Sequence, residues 1–524
     1  MPMTKLQLRS FFTPPYIHFL PKSIKRRSFG TCDNNASPAA RLPADVLVYI
    51  FMLLRDDCLS EAEMSLSWIT VTHVCHRWRE IALEVAGLWT AIFYGSPQSW
   101  GEFINRSREA PAHVVLDIDG DSAVQAALPI MQHLHRFERL VLHGPDIFDI
   151  LPSLSDQAPL LEMLMLQFNN YGRPQNNPLN VDDKAISSLF GGCLPRLRAL
   201  FLRGIPIRAD SHLFAPTLTS LQLHGYEDEN LSARLPLTGV VEVLARLPLL
   251  ETLVLEDIFA DPDTSTLLLE SLAHIPVARL PHLQSLSTVT AFPYIHKAIM
   301  SHLHAPNLVR FTAQAKANTI SEVVVPPLIS WTQDPTSFLS LYIHALPEYL
   351  GAAGGPTSCM DDGGTEGDSP FMLSIESSEI ILSDAVMDLC AQLPLHLVRN
   401  FQLLYRDSFK WTPLLRQMHD LEEIKAEIIY WKDLLQALTV NDNSHSGPWR
   451  LLCPRLKKLK FVTFGHHPES EAFFEALSIT AGLRRASGFG LEEILIDEES
   501  VPCRTEEDIA DLREYRLAPP PSPE

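Results

Sequence analysis

Residues 159–166 read PLLEMLML, and the same frame returns at 195–202 (PRLRALFL), 216–223 (PTLTSLQL) and 248–255 (PLLETLVL). It persists in weaker form at 281–288 (PHLQSLST), 306–313 (PNLVRFTA) and 454–461 (PRLKKLKF). In all seven, Leu stands two places after Pro, and Leu or Phe five places after it. Alternating apolar residues over so short a run predict a strand with one buried face. Related strings without the proline occur at Phe137 (FERLVL), Phe338 (FLSLYI), Leu421 (LEEIKA) and Leu491 (LEEILI). Among the first six the spacing between first leucines runs from 21 residues (Leu197 to Leu218) to 36 (Leu161 to Leu197). That is a repeat carrying insertions rather than a strict period.

The intervening segments supply helices. Val240, Val241, Leu244 and Leu247 follow helical spacing, as do Leu268, Leu269, Leu272 and Ile275, and Ile295, Ile299 and Leu303. A proline follows each run; it cannot continue a helix, so the chain is expected to turn there into the next strand. One strand–helix unit cannot bury its apolar face alone, whereas stacked copies can. The array resembles leucine-rich repeats of the irregular kind. The resemblance implies an α/β fold, a horseshoe-like solenoid of parallel strands and helices over residues 110–497. Ala112–Ile118 (AHVVLDI) is expected to be an early strand. Asp117, Asp119 and Asp121 after it read as a turn, because a calcium loop needs a bidentate Glu where Leu128 stands. Gly351–Pro370 (GAAGGPTSCMDDGGTEGDSP) reads as a flexible insertion, and residues 498–524, acidic and closing in APPPSPE, as a disordered tail.

In each Leu-x-Leu strand the residues beside the inward leucines point to the other face of the sheet. In a solenoid that face receives partners. Phe201, Arg203, Gln222, His224 and Glu256 are the candidate target-binding residues, since aromatic, basic and polar side chains together suit a protein partner. The plainer alternative is that these positions face solvent or a covering segment and bind nothing.

Upstream of the array, residues 42–93 read LPADVLVYIFMLLRDDCLSEAEMSLSWITVTHVCHRWREIALEVAGLWTAIF. Leu42-Pro43 opens a helical run carrying Leu42, Val46, Leu47, Ile50, Phe51 and Leu54 on one face, and Pro suits a first helical turn. A second helix is expected over Trp68–Val85, with Val71, Val74, Cys75, Trp78, Ile81 and Ala82 as its stripe. So small a module is marginal alone, and spare apolar surface on it suggests a partner. The segment resembles an F-box of the form carried by basidiomycete-type F-box proteins. Leu42-Pro43, Ile50-Phe51, Leu54, Ser67-Trp68-Ile69, the Val74-Cys75-x-x-Trp78-Arg79 run and Leu88-Trp89 carry that likeness. It departs from the plainest F-boxes in a longer gap between Leu54 and Val74. The resemblance implies an all-helical domain at residues 41–94 that docks on a Skp-type adaptor, and through it a cullin. Leu42, Pro43, Leu47, Ile50, Phe51, Val74, Cys75 and Trp78 are the implied contact residues.

Composition narrows the function further. A 524-residue chain that is 46% hydrophobic has ample material for a large core. Its net charge of −21 argues against a general nucleic-acid binder. The eight cysteines include no C-x-x-C pair, which points to a reducing compartment, the cytoplasm or nucleus, without disulfides or structural zinc. No apolar run reaches membrane-spanning length. Residues 1–40 read as a disordered basic arm, with an organelle-targeting peptide as the alternative. Phosphate-cradling glycine loops, a nucleophile elbow and H-E-x-x-H are all missing from the sequence, and His133/His135, His302/His304 and His466/His467 lack a third ligand at metal spacing. The expectation is therefore a protein with no catalytic residues, metal or cofactor. It would be the substrate-recognition subunit of an SCF-type ubiquitin ligase holding an unknown target protein. The alternative is a repeat scaffold in which residues 41–94 merely cap the first turn.

Overall fold

The computed structural model describes residues 38–60, 66–93, 97–169, 186, 189–225, 235–259, 277–290, 293–316, 325–326, 328, 333–334, 336–346, 349–356, 369–376, 382–405, 409–427, 431–439, 451–462, 471–496 and 499–502. The basic arm up to residue 37, the helix expected at Leu268–Ile275, His466/His467 and residues 503–524 lie outside that set. The chain divides into two compact units, one formed by residues 1–218 with 228–233, the other by 219–227 with 234–524.

The first unit begins with helix α1 (Ala44–Ser60), a 3₁₀ segment (Leu66–His73), α2 (His76–Glu84) and a second 3₁₀ segment (Ala86–Trp89). Strand β1 (Ala91–Ile92), α3 (Pro97–Arg106), β2 (Ala112–Asp117), α4 (Asp121–Met131), β3 (Phe137–Gly144), β4 (Met163–Phe168) and β5 (Ala199–Arg203) follow. β1 to β5 pair in order and all in parallel.

Two expectations for this unit are corrected. α1 runs on to Ser60, past the apolar run that closes at Leu54. The helix expected over Trp68–Val85 is broken, because Cys75 is extended (φ −156°, ψ 169°) between the 3₁₀ segment and α2. The cause is the β-branched run Ile69-Thr70-Val71-Thr72, stiff at χ1. Its threonine hydroxyls turn back on the backbone, Thr70 Oγ1 donating to Ser67 O and Thr72 Oγ1 to Ile69 O, both at 2.8 Å. The F-box-like domain is helical as expected, and at its last residues the chain enters the sheet as β1.

The second unit carries β6 (Ser220–His224), α5 (Leu237–Ala245), β7 (Thr252–Glu256), β8 (Ala278–Arg279), β9 (Ser285–Thr290), α6 (Pro293–Ser301), β10 (Leu303–His304) and β11 (Arg310–Lys316). Then come β12 (Ser340–Leu346), β13 (Tyr349–Gly355), β14 (Phe371–Glu376), α7 (Leu382–Cys390), β15 (Asn400–Tyr405), β16 (Glu423–Glu427), α8 (Trp431–Thr439), β17 (Lys458–Val462), α9 (Glu471–Ala486), β18 (Glu493–Ile496) and β19 (Glu499–Pro502). β6, β7, β9 and β11 are parallel neighbours, as are β15 to β18. Between the two runs the chain order inverts. β14 pairs in parallel with β11, β13 lies antiparallel between β14 and β12, and β12 pairs in parallel with β15. β8 and β10 form a separate parallel pair, so Leu303 belongs to a strand and not to the end of α6.

Gly351–Pro370 is thus no simple flexible insertion. Its first five residues sit in β13, with Leu350 and Ala352 buried. A glycine-rich run admits a strand where a neighbour approaches closely. A Cβ on Gly354 would lie 2.2 Å from the Phe338 ring, so only glycine fits there. Residues 499–502 are likewise a strand, antiparallel on β18, and not part of a disordered tail.

The repeat frame has a local explanation. In all seven Pro-x-Leu strings the strand begins four residues after the proline, at Met163, Ala199, Ser220, Thr252, Ser285, Arg310 and Lys458. In six of the seven the amide two places after Pro donates to the carbonyl one place before it, as in Leu161 to Ala158 (3.2 Å), Leu250 to Leu247 (3.2 Å) and Leu456 to Cys453 (3.1 Å). Proline therefore occupies the second position of a turn, where its fixed φ is pre-set. The next two amides then share one carbonyl of the preceding repeat. Arg198 and Ala199 donate to Glu162 O, and Glu251 and Thr252 to Thr219 O. The leucine after Pro is buried in every copy, from Leu161 to Leu456.

Candidate functional site

α1 carries two apolar stripes. Leu47, Phe51 and Cys58 recur at helical spacing and are buried. Phe51 packs on Trp78 with ring centroids 5.1 Å apart, and Arg77 Nη2 donates to Leu42 O at 2.6 Å, which fixes α2 against the start of α1. About a third of a turn away, Val46, Tyr49, Ile50 and Leu53 follow i, i+3, i+4, i+7 spacing, and all four are exposed, Tyr49 at 63%. Leu54 and Val74 are exposed as well.

This division sorts the expected contact residues. Pro43, Ile50 and Val74 are exposed, while Leu42, Cys75 and Trp78 are half-buried. Leu47 and Phe51, both at 0% exposure, cannot meet a partner and instead hold α1 onto its own domain. Val46, Tyr49 and Leu53 were not among the expected contacts. The signal for them was already there, since eight apolar residues between Leu42 and Leu54 are too many for one helix face.

Behind α1 and α2 lies an aromatic knot. Trp89 meets Trp68 edge-on at 5.2 Å and Phe103 at 5.1 Å, and its indole Nε1 donates to Ala82 O at 2.9 Å. The Arg106 guanidinium stands 4.3 Å over the Trp89 ring. Two residues beyond Trp89 the chain becomes β1, and the His113 amide donates to Thr90 O at 2.9 Å. Arg55, from α1, donates to Gly87 O.

The expected target-binding residues do not share one environment. Phe201 is buried, at 3% exposure, and forms a second apolar layer with Ala91, Phe93, Val115, Val141, Met163 and Met165. The parallel strands of the first unit are therefore covered on both faces, and Phe201 is not a contact surface. Strands buried on both faces read as continuous apolar runs, and MLMLQF and ALFLR do so. Arg203, at the end of β5, is half-buried. In the second unit the strands alternate, as SLQLH and TLVLE. There Gln222, His224 and Glu256 are half-buried on a face opposite the leucines. His224 and Glu256 are register partners, with Nδ1 and Oε2 2.5 Å apart.

Arg484 is fully buried on α9 and donates to Leu452 O (3.0 Å) and Cys453 O (2.7 Å), tying that helix to the turn before β17. Burial lowers the pKa of its guanidinium and pushes the Cys390 and Cys453 thiols up to about 12. Among the described residues no three His, Cys, Asp or Glu side chains gather where they could hold a metal, and no helix is long and apolar enough to cross a membrane.

Residues 39–94 match the family model described as F-box-like, so an F-box-like domain stands at this end of the chain. Domains of that family are adaptor modules, typically non-catalytic and generally binding Skp1-type adaptors. No curated protein matches the chain.

Proposed function

We propose that this protein is the non-catalytic substrate-recognition subunit of an SCF-type cullin–RING ubiquitin ligase, acting in the cytoplasm or nucleus. One observation carries the reading, the second stripe on α1. The domain already satisfies its interior with Leu47, Phe51 and Trp78, yet exposes Val46, Tyr49, Ile50 and Leu53 in line on a single helix, with Val74 as a further exposed apolar group of the domain. A helix face of that kind suits a groove on a protein partner, here a Skp-type adaptor. The repeated strands are read as irregular leucine-rich repeats. The half-open strand face of the second unit, with Gln222, His224 and Glu256, is read as the surface for the target protein. Holding a target near the ubiquitin-charged enzyme raises its effective concentration, which needs no reactive group in this chain.

Co-purification of the full chain with a Skp-type adaptor tests this. Ile50→Glu with Tyr49→Ala is expected to reduce capture at least about tenfold, since one buried Ile contributes about 1.5–3 kcal/mol. The thermal midpoint should hold, because both side chains face solvent. Undiminished capture by that double variant would remove the reading.

A second reading has its own support. The domain's last residues form β1, and Trp68 and Trp89 pack on Phe103 of α3, so residues 66–93 also close the first edge of the sheet. A terminal cap is what a stacked array needs. In that reading the protein is a repeat scaffold outside ubiquitination, and no adaptor is captured.

A further inference from the structure

β12 and β13 pair antiparallel where the strand order inverts, and the two faces of the pair differ. Leu341, Ile343, Ala345, Leu350 and Ala352 are buried on one face. The other carries Tyr342, His344, Leu346 and Tyr349, all half-buried. Three rings stand side by side on it. The His344 ring lies 6.4 Å from that of Tyr342 and 6.0 Å from that of Tyr349, which it meets edge-on at 68°.

Gly351, the register partner of His344, makes room for this cluster. A Cβ there would lie 2.5 Å from the Tyr349 hydroxyl oxygen, so the tyrosine ring is folded back over the glycine. Glu376 on β14 is exposed, is the register partner of Tyr349, and takes part in no ion pair among the described residues. The cluster is also continuous with the strand face read above as the target's surface. Successive register partners lead from Gln222 on β6 across to Tyr342 on β12, and from His224 to His344.

We propose that Tyr342, His344, Tyr349 and Glu376 receive an arginine side chain from a basic segment of the target protein, an inference that rests on this strand face being the target's surface. A guanidinium stacks on aromatic faces and is attracted by them, and a carboxylate beside the rings supplies its counter-charge. The protein's net charge of −21 favours encounter with a basic segment, and Glu376 would repel an acidic one. The cations of this face lie away from the rings. Lys316 is in register with Glu376 on the side opposite Tyr349. Lys425 stands four strands from Glu376, about 19 Å, more than twice the Debye length of about 8 Å at physiological salt.

Fluorescence anisotropy of the full chain with labelled decapeptides of alternating Arg-Ser, Glu-Ser or Gly-Ser tests this. The Arg-Ser peptide is expected to bind, and the other two at least about tenfold more weakly. Tyr349→Ala should weaken it about tenfold with net charge unchanged, and Gly351→Ala about fivefold, by displacing the Tyr349 ring. Glu376→Gln, on an exposed side chain, should weaken it about threefold. Equal binding of the Arg-Ser peptide to the native chain, Tyr349→Ala and Gly351→Ala would reduce the contact to general charge attraction and overturn the proposal. So would a preference for either other peptide. Adaptor capture by the same preparations separates the two claims. A native chain that captures the adaptor but not the Arg-Ser peptide loses this site and keeps the ligase reading; the reverse result keeps the arginine site and loses that reading.

Discussion

Replacing Trp89 by Ala tests whether the F-box-like domain can be separated from the sheet behind it. The indole is 1% exposed, wedged edge-on between Trp68 and Phe103 under the Arg106 guanidinium, and its N–H satisfies Ala82 O. Removing a side chain so enclosed costs about 3–5 kcal/mol, with the lost hydrogen bond and ring contacts included in that range. The loss should travel along the chain, because β1 starts two residues later and the His113 amide is held by Thr90 O. Hydrogen exchange at His113 and Val114 is the readout. At a factor of ten for each ~1.4 kcal/mol, their protection should fall about a hundredfold or more. Should α2 lose protection while β2 loses less than about tenfold, the domain is a detachable module and its structural coupling to the sheet is wrong.

Three further outcomes follow from the second unit and the buried groups. Gly354→Ala should lower stability by about 1–3 kcal/mol in urea titration, because the new methyl meets the buried Phe338 ring that packs on Phe371; an unchanged midpoint would contradict that packing. Among the described cysteines of the native protein, an alkylating reagent should label exposed Cys193 ahead of the others and leave Cys390 and Cys453 untouched until unfolding, as mass mapping can check. Burial lowers the pKa of His113 below its ordinary 6.5, outweighing its bond to Glu138. As pH falls, the unfolded chain takes that proton first, so His113 adds stability above pH 6.5 that is lost on acidification below it. The thermal midpoint should therefore fall less steeply below that pH in His113→Gln than in the native protein, and identical slopes would exclude the effect.

Much of this protein was legible in its order of residues. The Pro-x-Leu strings marked seven strands, because a turn with proline at its second position and a leucine aimed inward are local devices. That each strand starts four residues after its proline came from the structure. Helical spacing marked residues 42–93 as a small helical module, and its likeness to an F-box came from the resemblance carried by Leu42-Pro43, Ile50-Phe51, the Val74-to-Arg79 run and Leu88-Trp89. What only the tertiary structure decided is which apolar face meets what. Leu47 and Ile50 are both apolar residues of α1, yet one is fully buried and the other is open to solvent. Phe201 sits in a Leu-x-Leu frame like that of Gln222, yet a second apolar layer buries it. The inversion of β12, β13 and β14 is likewise absent from any local pattern, since a strand's propensity does not name its neighbour. Burial and pairing depend on residues distant in the chain, and one segment's periodicity carries no record of them.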